Sequence, residues 1–274
     1  MNVLVEVGYL LATVSFLGGL KFMSSPKHAK IGNLIAATGM IIAVLCTFWM
    51  LNTQTVPSVN LIIIAAAILL GTIGGKVMAS KVEMTAMPQL VSLFNATGGG
   101  CAMLLGIVEA KQAGLGSSFL GMQILLLLGL ITGAIAASGS VIAYRKLAGK
   151  TKDNRNIMVV LGSRVLLVLF FVVPVLYFVG VLSIPFEIVA YVMAFIALVY
   201  GILFVLPIGG ADMPVVISLL NSITGIATAL AGFVYGNKAM IAGGIFVGAA
   251  GILLTLLMCR AISPFTWSIS FKCS

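Results

Sequence analysis

Charge is scarce in this chain. Only 8% of its 274 residues are Asp, Glu, Lys or Arg, against about 25% in an ordinary soluble domain. The longest polar stretch, Arg145 to Asn156, spans about a dozen residues, too few to bury a core of its own. The single histidine, His28, lies in a polar connection beside Lys27 and Lys30, so no imidazole is available as a buried proton relay in an apolar segment. Four cysteines, Cys46, Cys101, Cys259 and Cys273, fall in separate segments without a Cys-x-x-Cys pair or a spaced His. That excludes a sequence-encoded metal site and leaves them as small apolar fillers. Neither a Gly-x-Gly-x-x-Gly turn nor a Gly-x-x-x-x-Gly-Lys loop occurs, so no nucleotide cofactor is expected on this chain. Basic residues are dispersed among short connections, which argues against nucleic acid as a partner.

Long apolar runs fill the rest. Hydrophobic residues make up 61% of the chain and mean hydropathy is +1.24. Segments near the roughly 20 residues needed to cross a bilayer recur from end to end. Nine are expected, near residues 3–22, 32–51, 59–79, 86–108, 119–144, 157–179, 184–206, 212–235 and 239–261. The fold class is therefore an all-α integral membrane protein, a multi-pass bundle of about nine transmembrane helices in the lipid bilayer. The first span is too long, and its flank too uncharged, for a cleaved signal peptide.

Lys and Arg segregate by side. Lys21, Lys27, Lys30, Lys76, Lys81, Arg145, Lys146, Lys150, Lys152, Arg155, Arg260 and Lys272 occupy one set of connections, and only Lys111 and Lys238 the other. The positive-inside bias then puts the amino terminus outside and the carboxyl terminus in the cytoplasm.

Two segments repeat. AMPQLVSLFN ends at Asn95 and DMPVVISLLN at Asn221, with Met87 and Met213, Pro88 and Pro214, Ser92 and Ser218, and Gly99 and Gly225 in register. A Pro in the first helical turn costs little, because that N–H has no intrahelical acceptor. Counting from the Met-Pro step at 1.5 Å per residue, each Asn lies about 12 Å deep, close to the bilayer middle. Amides are costly there, and two at one depth point to a function inside the membrane.

Ser92 with Asn95, and Ser218, Asn221 and Ser222 with Gly225 and Thr228, are expected to form polar stripes on spans four and eight. Ser140 on the antiparallel fifth span is expected just below the asparagines. Together the three spans would line a path of amides and hydroxyls, whereas the plainer alternative is interhelical hydrogen bonding worth about 1 kcal/mol per bond. Asp212 and Glu83 stand at the mouths of spans eight and four, where a carboxylate also simply favours a helix amino terminus. Gly129 with Gly133, Gly232 with Gly236, and Gly244 with Gly248 are spaced for close helix packing.

Residues 81–100, KVEMTAMPQLVSLFNATGGG, and 209–233, GGADMPVVISLLNSITGIATALAGF, closely resemble the beta subunit of proton-translocating NAD(P) transhydrogenase. ASGSVIAYRKLAGK, residues 137–150, and MCRAI, residues 258–262, are similar too. The resemblance implies a Re/Si-specific enzyme that couples hydride transfer between NADH and NADP⁺ to proton passage across a bacterial inner membrane. It implies that residues 1–262 form the proton-conducting domain and 263–274 a short cytoplasmic tail. NADP(H) and NAD(H) would be bound not by this chain but by a carboxyl-terminal NADP(H)-binding domain, missing here, and by an alpha subunit, in a homodimer of alpha–beta units. By the same resemblance Asn221 and Ser140 match residues of the proton path and Asp212 the acid at its inner mouth, while Asn95 stands where some relatives have His. The competing expectations are a secondary transporter of a small solute and a scaffold whose polar stripes only join helices.

Overall fold

The computed structural model describes residues 3–262 apart from 24, 26, 54–55, 115–119, 155 and 183. Arg155, Lys272, Cys273 and the tail at 263–274 therefore lie outside the described residues. Every long element described is an α-helix: α1 (Val3–Met23), α2 (Ala29–Thr53), α3 (Ser58–Lys81), α4 (Met87–Gly114), α5 (Leu120–Leu147), α6 (Ile157–Phe178), α7 (Phe186–Val205), α8 (Met213–Val234) and α9 (Lys238–Ile262). All nine are long and apolar enough to cross a membrane. This is a multi-pass integral membrane protein.

Boundaries shift where hydropathy and helicity part company. α4 continues to Gly114, well past the apolar run expected to end near 108, because the polar Glu109, Lys111 and Gln112 still favour helix after the hydrocarbon ends. α5 likewise runs to Leu147, with Arg145 and Lys146 in its last turn opposite the negative end of the helix dipole. A short 3₁₀ turn precedes each repeated helix, Met84–Ala86 before α4 and Gly210–Asp212 before α8.

The chain divides into two compact units, residues 1–82 and 83–274. In the first, α1 and α2 form a close hairpin. A methyl on Gly19 would lie 2.9 Å from Gly32 O, so the two backbones nearly touch, and the Tyr9 and Thr47 hydroxyls are hydrogen-bonded at 2.9 Å. α3 buries no side chain.

In the second unit α5 is the central rod, packing on α4, α7 and α8. α8 pairs with α9, and α6 leans on α7, with the Phe170–Tyr200 rings in contact at 5.1 Å. Lipid tails are as apolar as leucine, so these contacts depend on close approach rather than on expulsion of water. One apolar cluster joins Leu126, Leu127 and Leu130 of α5 to Phe186, Val189 and Met193 of α7. A second, at the other end of the bundle, joins Ala143 and Val205 to Met213, Val216 and Leu220.

Glycines decide which faces meet. A methyl on Gly99 would lie 2.7 Å from Ala137 N and 2.8 Å from Gly133 O, which brings α4 onto α5. Gly225 is pressed against Gly248 and Gly244 in the same way, bringing α8 onto α9. Gly236 departs from its expected packing role. It has φ of +61° with no atom near its missing side chain, and it ends α8 as a turn residue that a Cβ would strain.

A proton-path candidate between α4, α5 and α8

The two Met-Pro helices enter the bundle by the same local device. Ala86 N donates to Glu83 O at 2.9 Å, and Asp212 N donates to Gly209 O at 3.1 Å, each closing the turn that feeds the helix. Asp212 occupies the N-cap position of α8, yet its carboxylate caps nothing and forms no ion pair among the described residues. It is partly buried at the mouth, free for another partner. Glu83 is exposed and contributes only its backbone carbonyl to the turn.

Ser92, Asn95 and Ser140 meet inside the unit. Ser92 Oγ donates to Ser140 O at 2.8 Å, and Asn95 Nδ2 donates to Ser140 Oγ at 2.7 Å. Ser92 and Ser140 are fully enclosed and Asn95 is 7% exposed. Ser140 thus sits level with Ser92 and Asn95 rather than below them. Asn95 Oδ1 has no hydrogen-bond partner. A buried acceptor left unmade costs about 1–3 kcal/mol, so the cluster keeps one strong acceptor available to a water or a hydrated proton.

The expected stripe on α8 splits into two faces. Ser218 Oγ donates to Gly251 O at 3.0 Å and Ser222 Oγ to Gly248 O at 2.7 Å, so both serines, with Gly225, bury against α9. Asn221 lies about 100° around the helix from Ser222. It is half-buried and makes no side-chain hydrogen bond among the described residues. Thr224 lies one turn further along its face, with its methyl against Gly98 of α4, where an added Cβ would sit at 3.4 Å.

The repeat is larger than sequence matching shows, because it is a helical hairpin. Ser92 bonds the Ser140 carbonyl and Ser218 the Gly251 carbonyl. Gly99 packs on Gly133 and Gly225 on Gly244, while Gly106 packs on Leu130 and Gly232 on Ile241. Hairpins α4–α5 and α8–α9 are therefore built alike. Ser140 has Gly251 as its counterpart, and a side chain there would collide with Ser222, 2.8 Å from its Cβ. Asn221 consequently lacks the hydroxyl that holds Asn95.

A buried cation escaped the sequence reading, which treated Lys146 only as a topological charge. Its Nζ donates to Asp153 Oδ1 at 2.9 Å and to the carbonyls of Leu206 and Ile208, each at 2.6 Å. The side chain is 2% exposed and Asp153 45%. It pins the connection after α5 to the turn that leads into Asp212 and α8. Its position was detectable as the next step, after Gly139 and Ala143, along the buried face of α5.

At the opposite end of the same helices, Tyr235 Oη donates to Glu109 Oε1 at 2.9 Å. Partial burial, followed by this hydrogen bond and the neighbouring Glu109 charge, pushes the Tyr235 phenol up to about 12. The pair borders a shallow cleft of about 10 Å³ lined by Ala102, Gly106, Gly129 and Ala231, room for about one water. Sequence matching missed the pair because Glu and Tyr do not resemble each other.

The family model described as NAD(P) transhydrogenase beta subunit matches residues 5–273. Two curated sequences of Rhodospirillum rubrum, each described as NAD(P) transhydrogenase subunit beta, are 37% identical to the chain over 97% of its length. The chain spans only 57% of the length of those relatives. A nine-helix membrane unit with paired Met-Pro helices and a match over nearly every residue lead to one assignment: this chain belongs to the NAD(P) transhydrogenase beta-subunit family.

Proposed function

We propose that this chain is the proton-translocating membrane part of a Re/Si-specific NAD(P) transhydrogenase, coupling proton passage to hydride transfer between NADH and NADP⁺ carried out elsewhere in the enzyme. The carrying observation is the enclosed Ser92–Asn95–Ser140 cluster, whose Asn95 amide oxygen has no partner among the described residues. Family membership supplies the reaction class. In this reading NADP(H) and NAD(H) are bound by a carboxyl-terminal domain and by an alpha subunit, as the family resemblance implies. In this reading residues 1–262 form the transmembrane domain, and residues 263–274 extend from its cytoplasmic face. The working enzyme is a homodimer of alpha–beta units in a bacterial inner membrane, with the amino terminus outside and the Asp212 mouth inside, as the basic residues demand.

Mechanistically, Asn95, Ser140 and Asn221 hold and orient water rather than titrate. Amide and hydroxyl groups both donate and accept, so a short file of water along them can pass a proton without a buried charge on the protein. Asp212, unpaired at the mouth, is the group whose protonation state is felt by a domain docked there. For proton passage to drive nucleotide chemistry, the two conformations of the enzyme must differ in proton affinity at this mouth.

The test is coupled proton pumping by the reconstituted enzyme carrying Asn221→Leu, compared at equal amounts of folded protein. Pumping should fall by about tenfold or more, with proton-independent hydride exchange retained. Full pumping would remove Asn221 from the path.

A further inference from the structure

The proposed path explains one half of the membrane: Asn95, Ser140 and Asn221 are reached from the Asp212 mouth, while the route to the opposite face is left open. The seam between α4 and α5 cannot supply it. Above Asn95 that seam is closed by backbone contact, with Gly99 against Gly133 and Ala137, and Gly106 against Leu130. At those crossings room for a methyl is lacking, and the water-sized cleft opens only where Ala231, Val234 and Tyr235 of α8 join Gly106 and Leu130.

The seam between α4 and α8 is built differently. Asn221, Thr224, Thr228, Ala231 and Tyr235 succeed one another along α8 at steps of three and four residues, one helical face. On α4 the residues of the same repeat frame are Asn95, Gly98, Ala102, Leu105 and Glu109. Equivalent positions meet across the seam: Gly98 lies against Thr224, and Glu109 is hydrogen-bonded to Tyr235, its partner 126 positions on. The two stripes therefore run side by side in the same direction for about 21 Å, from the bilayer middle to its far boundary. Thr224 and Thr228 donate to Leu220 O and Thr224 O on their own helix, at 3.1 and 2.9 Å. Both hydroxyl oxygens keep lone pairs for a water in the seam. Asn221, Thr224, Thr228 and Ala231 are all half-buried, neither sealed in a core nor open.

We propose that Glu109, held by Tyr235, is the group that exchanges protons with the solvent opposite the Asp212 mouth, and that the α4/α8 seam carries them to Asn221. This rests on the proton-path reading above and completes it. Glu109 is suited to the role because it is the one carboxylate-bearing residue that lines the water-sized cleft. The other charged groups at this end are poorly placed for it. Lys111 and Lys238 are exposed cations, and Glu187 on α7 does not line the cleft. Tyr235 is the positioning residue. Its phenol keeps its proton at neutral pH, so it fixes the carboxylate without competing for the transferred proton.

The experiment uses the complete enzyme in vesicles, with coupled pumping and proton-independent hydride exchange measured side by side. Glu109→Gln is expected to slow pumping by about tenfold, to leave hydride exchange at the wild-type rate, and to be rescued by acidifying only the compartment on the Glu109 side. Glu109→Asp should recover most of the rate. Ala231→Phe, which fills the cleft while keeping both polar groups, should show the same defect. Wild-type pumping in both Glu109→Gln and Ala231→Phe, with Asn221→Leu defective, overturns the far-side route and leaves the Asn221 path standing. Wild-type pumping in Asn221→Leu as well overturns both. If Glu109→Gln fails to assemble, Ala231→Phe and Tyr235→Phe decide by the same readouts, and pumping at the wild-type rate in both overturns the proposal.

Discussion

Replacing Lys146 by Met should free the connection after α5 from the turn that carries Asp212. The side chain is enclosed and its ammonium group supplies three charge-assisted hydrogen bonds. Their loss is unequal. Asp153, 45% exposed, recovers water as a partner, and Leu206 O keeps the bond donated by Asn154 N at 3.1 Å. Ile208 O loses the side-chain donor it has here. One buried acceptor left unmade, plus two weakened attachments, amounts to about 2–3 kcal/mol of local stability. At 1.4 kcal/mol per tenfold, the amides of Asn154 and Asp212 should exchange hydrogen about 30–100 times faster, with little change in the core of α5. Native-state hydrogen exchange of the enzyme in detergent reads this directly. Unchanged exchange at both amides would refute the claim that Lys146 pins the turn. Equal acceleration throughout α5 would show a general loss of fold instead.

Three further outcomes are expected. Gly225→Val, set against the Gly244 and Gly248 backbones, should lower the thermal midpoint in detergent by overpacking worth about 1–3 kcal/mol, whereas Gly98→Ala, with only the Thr224 methyl at 3.4 Å, should be tolerated. Equal midpoints would contradict the close α8–α9 contact. Ser140→Ala removes the acceptor of Asn95 Nδ2 while sparing the carbonyl that receives Ser92, so it should cost about 1–3 kcal/mol and depress pumping; a variant as stable and active as wild type argues against the cluster. In ultraviolet titration, the component of tyrosinate absorbance lost in Tyr235→Phe should have its midpoint near 12. The folded value is raised, so the Tyr235–Glu109 bond is fully present below the ordinary value of 10.0 and is lost as pH rises through about 12; a midpoint at 10.0 would show that the pair does not form.

Particular residues show where sequence reading stops. Asn95 and Asn221 were recognisable because an amide in a long apolar run is costly wherever the helix faces. Ser140 was recognisable as a hydroxyl on an antiparallel span, but the span's position along the sequence put it below the asparagines and packing puts it level with them. The grouping of Ser218 and Ser222 with Asn221 did not survive, because steps of three, four and one all look compatible on a short polar stripe. Only the location of α9 shows that the serines turn one way and the asparagine the other. The hairpin repeat was hidden for a related reason. α4 and α8 match at an offset of 126, but Ser140 and Gly251 are 111 apart, and helices in contact need only small residues at the crossing, not the same ones.

By itself the sequence determined that this protein carries nine helices, among the described residues, long and apolar enough to cross a membrane, and which family it resembles, since hydrocarbon thickness and the cost of burying polar groups act on each helix separately. Tertiary structure alone decided that Lys146 is enclosed, that Asn221 stands free while Asn95 is bonded, and that Glu109 meets Tyr235. Those outcomes depend on which helix faces which, and in lipid that choice is made by backbone approach at a few glycines rather than by any hydropathy pattern along the chain.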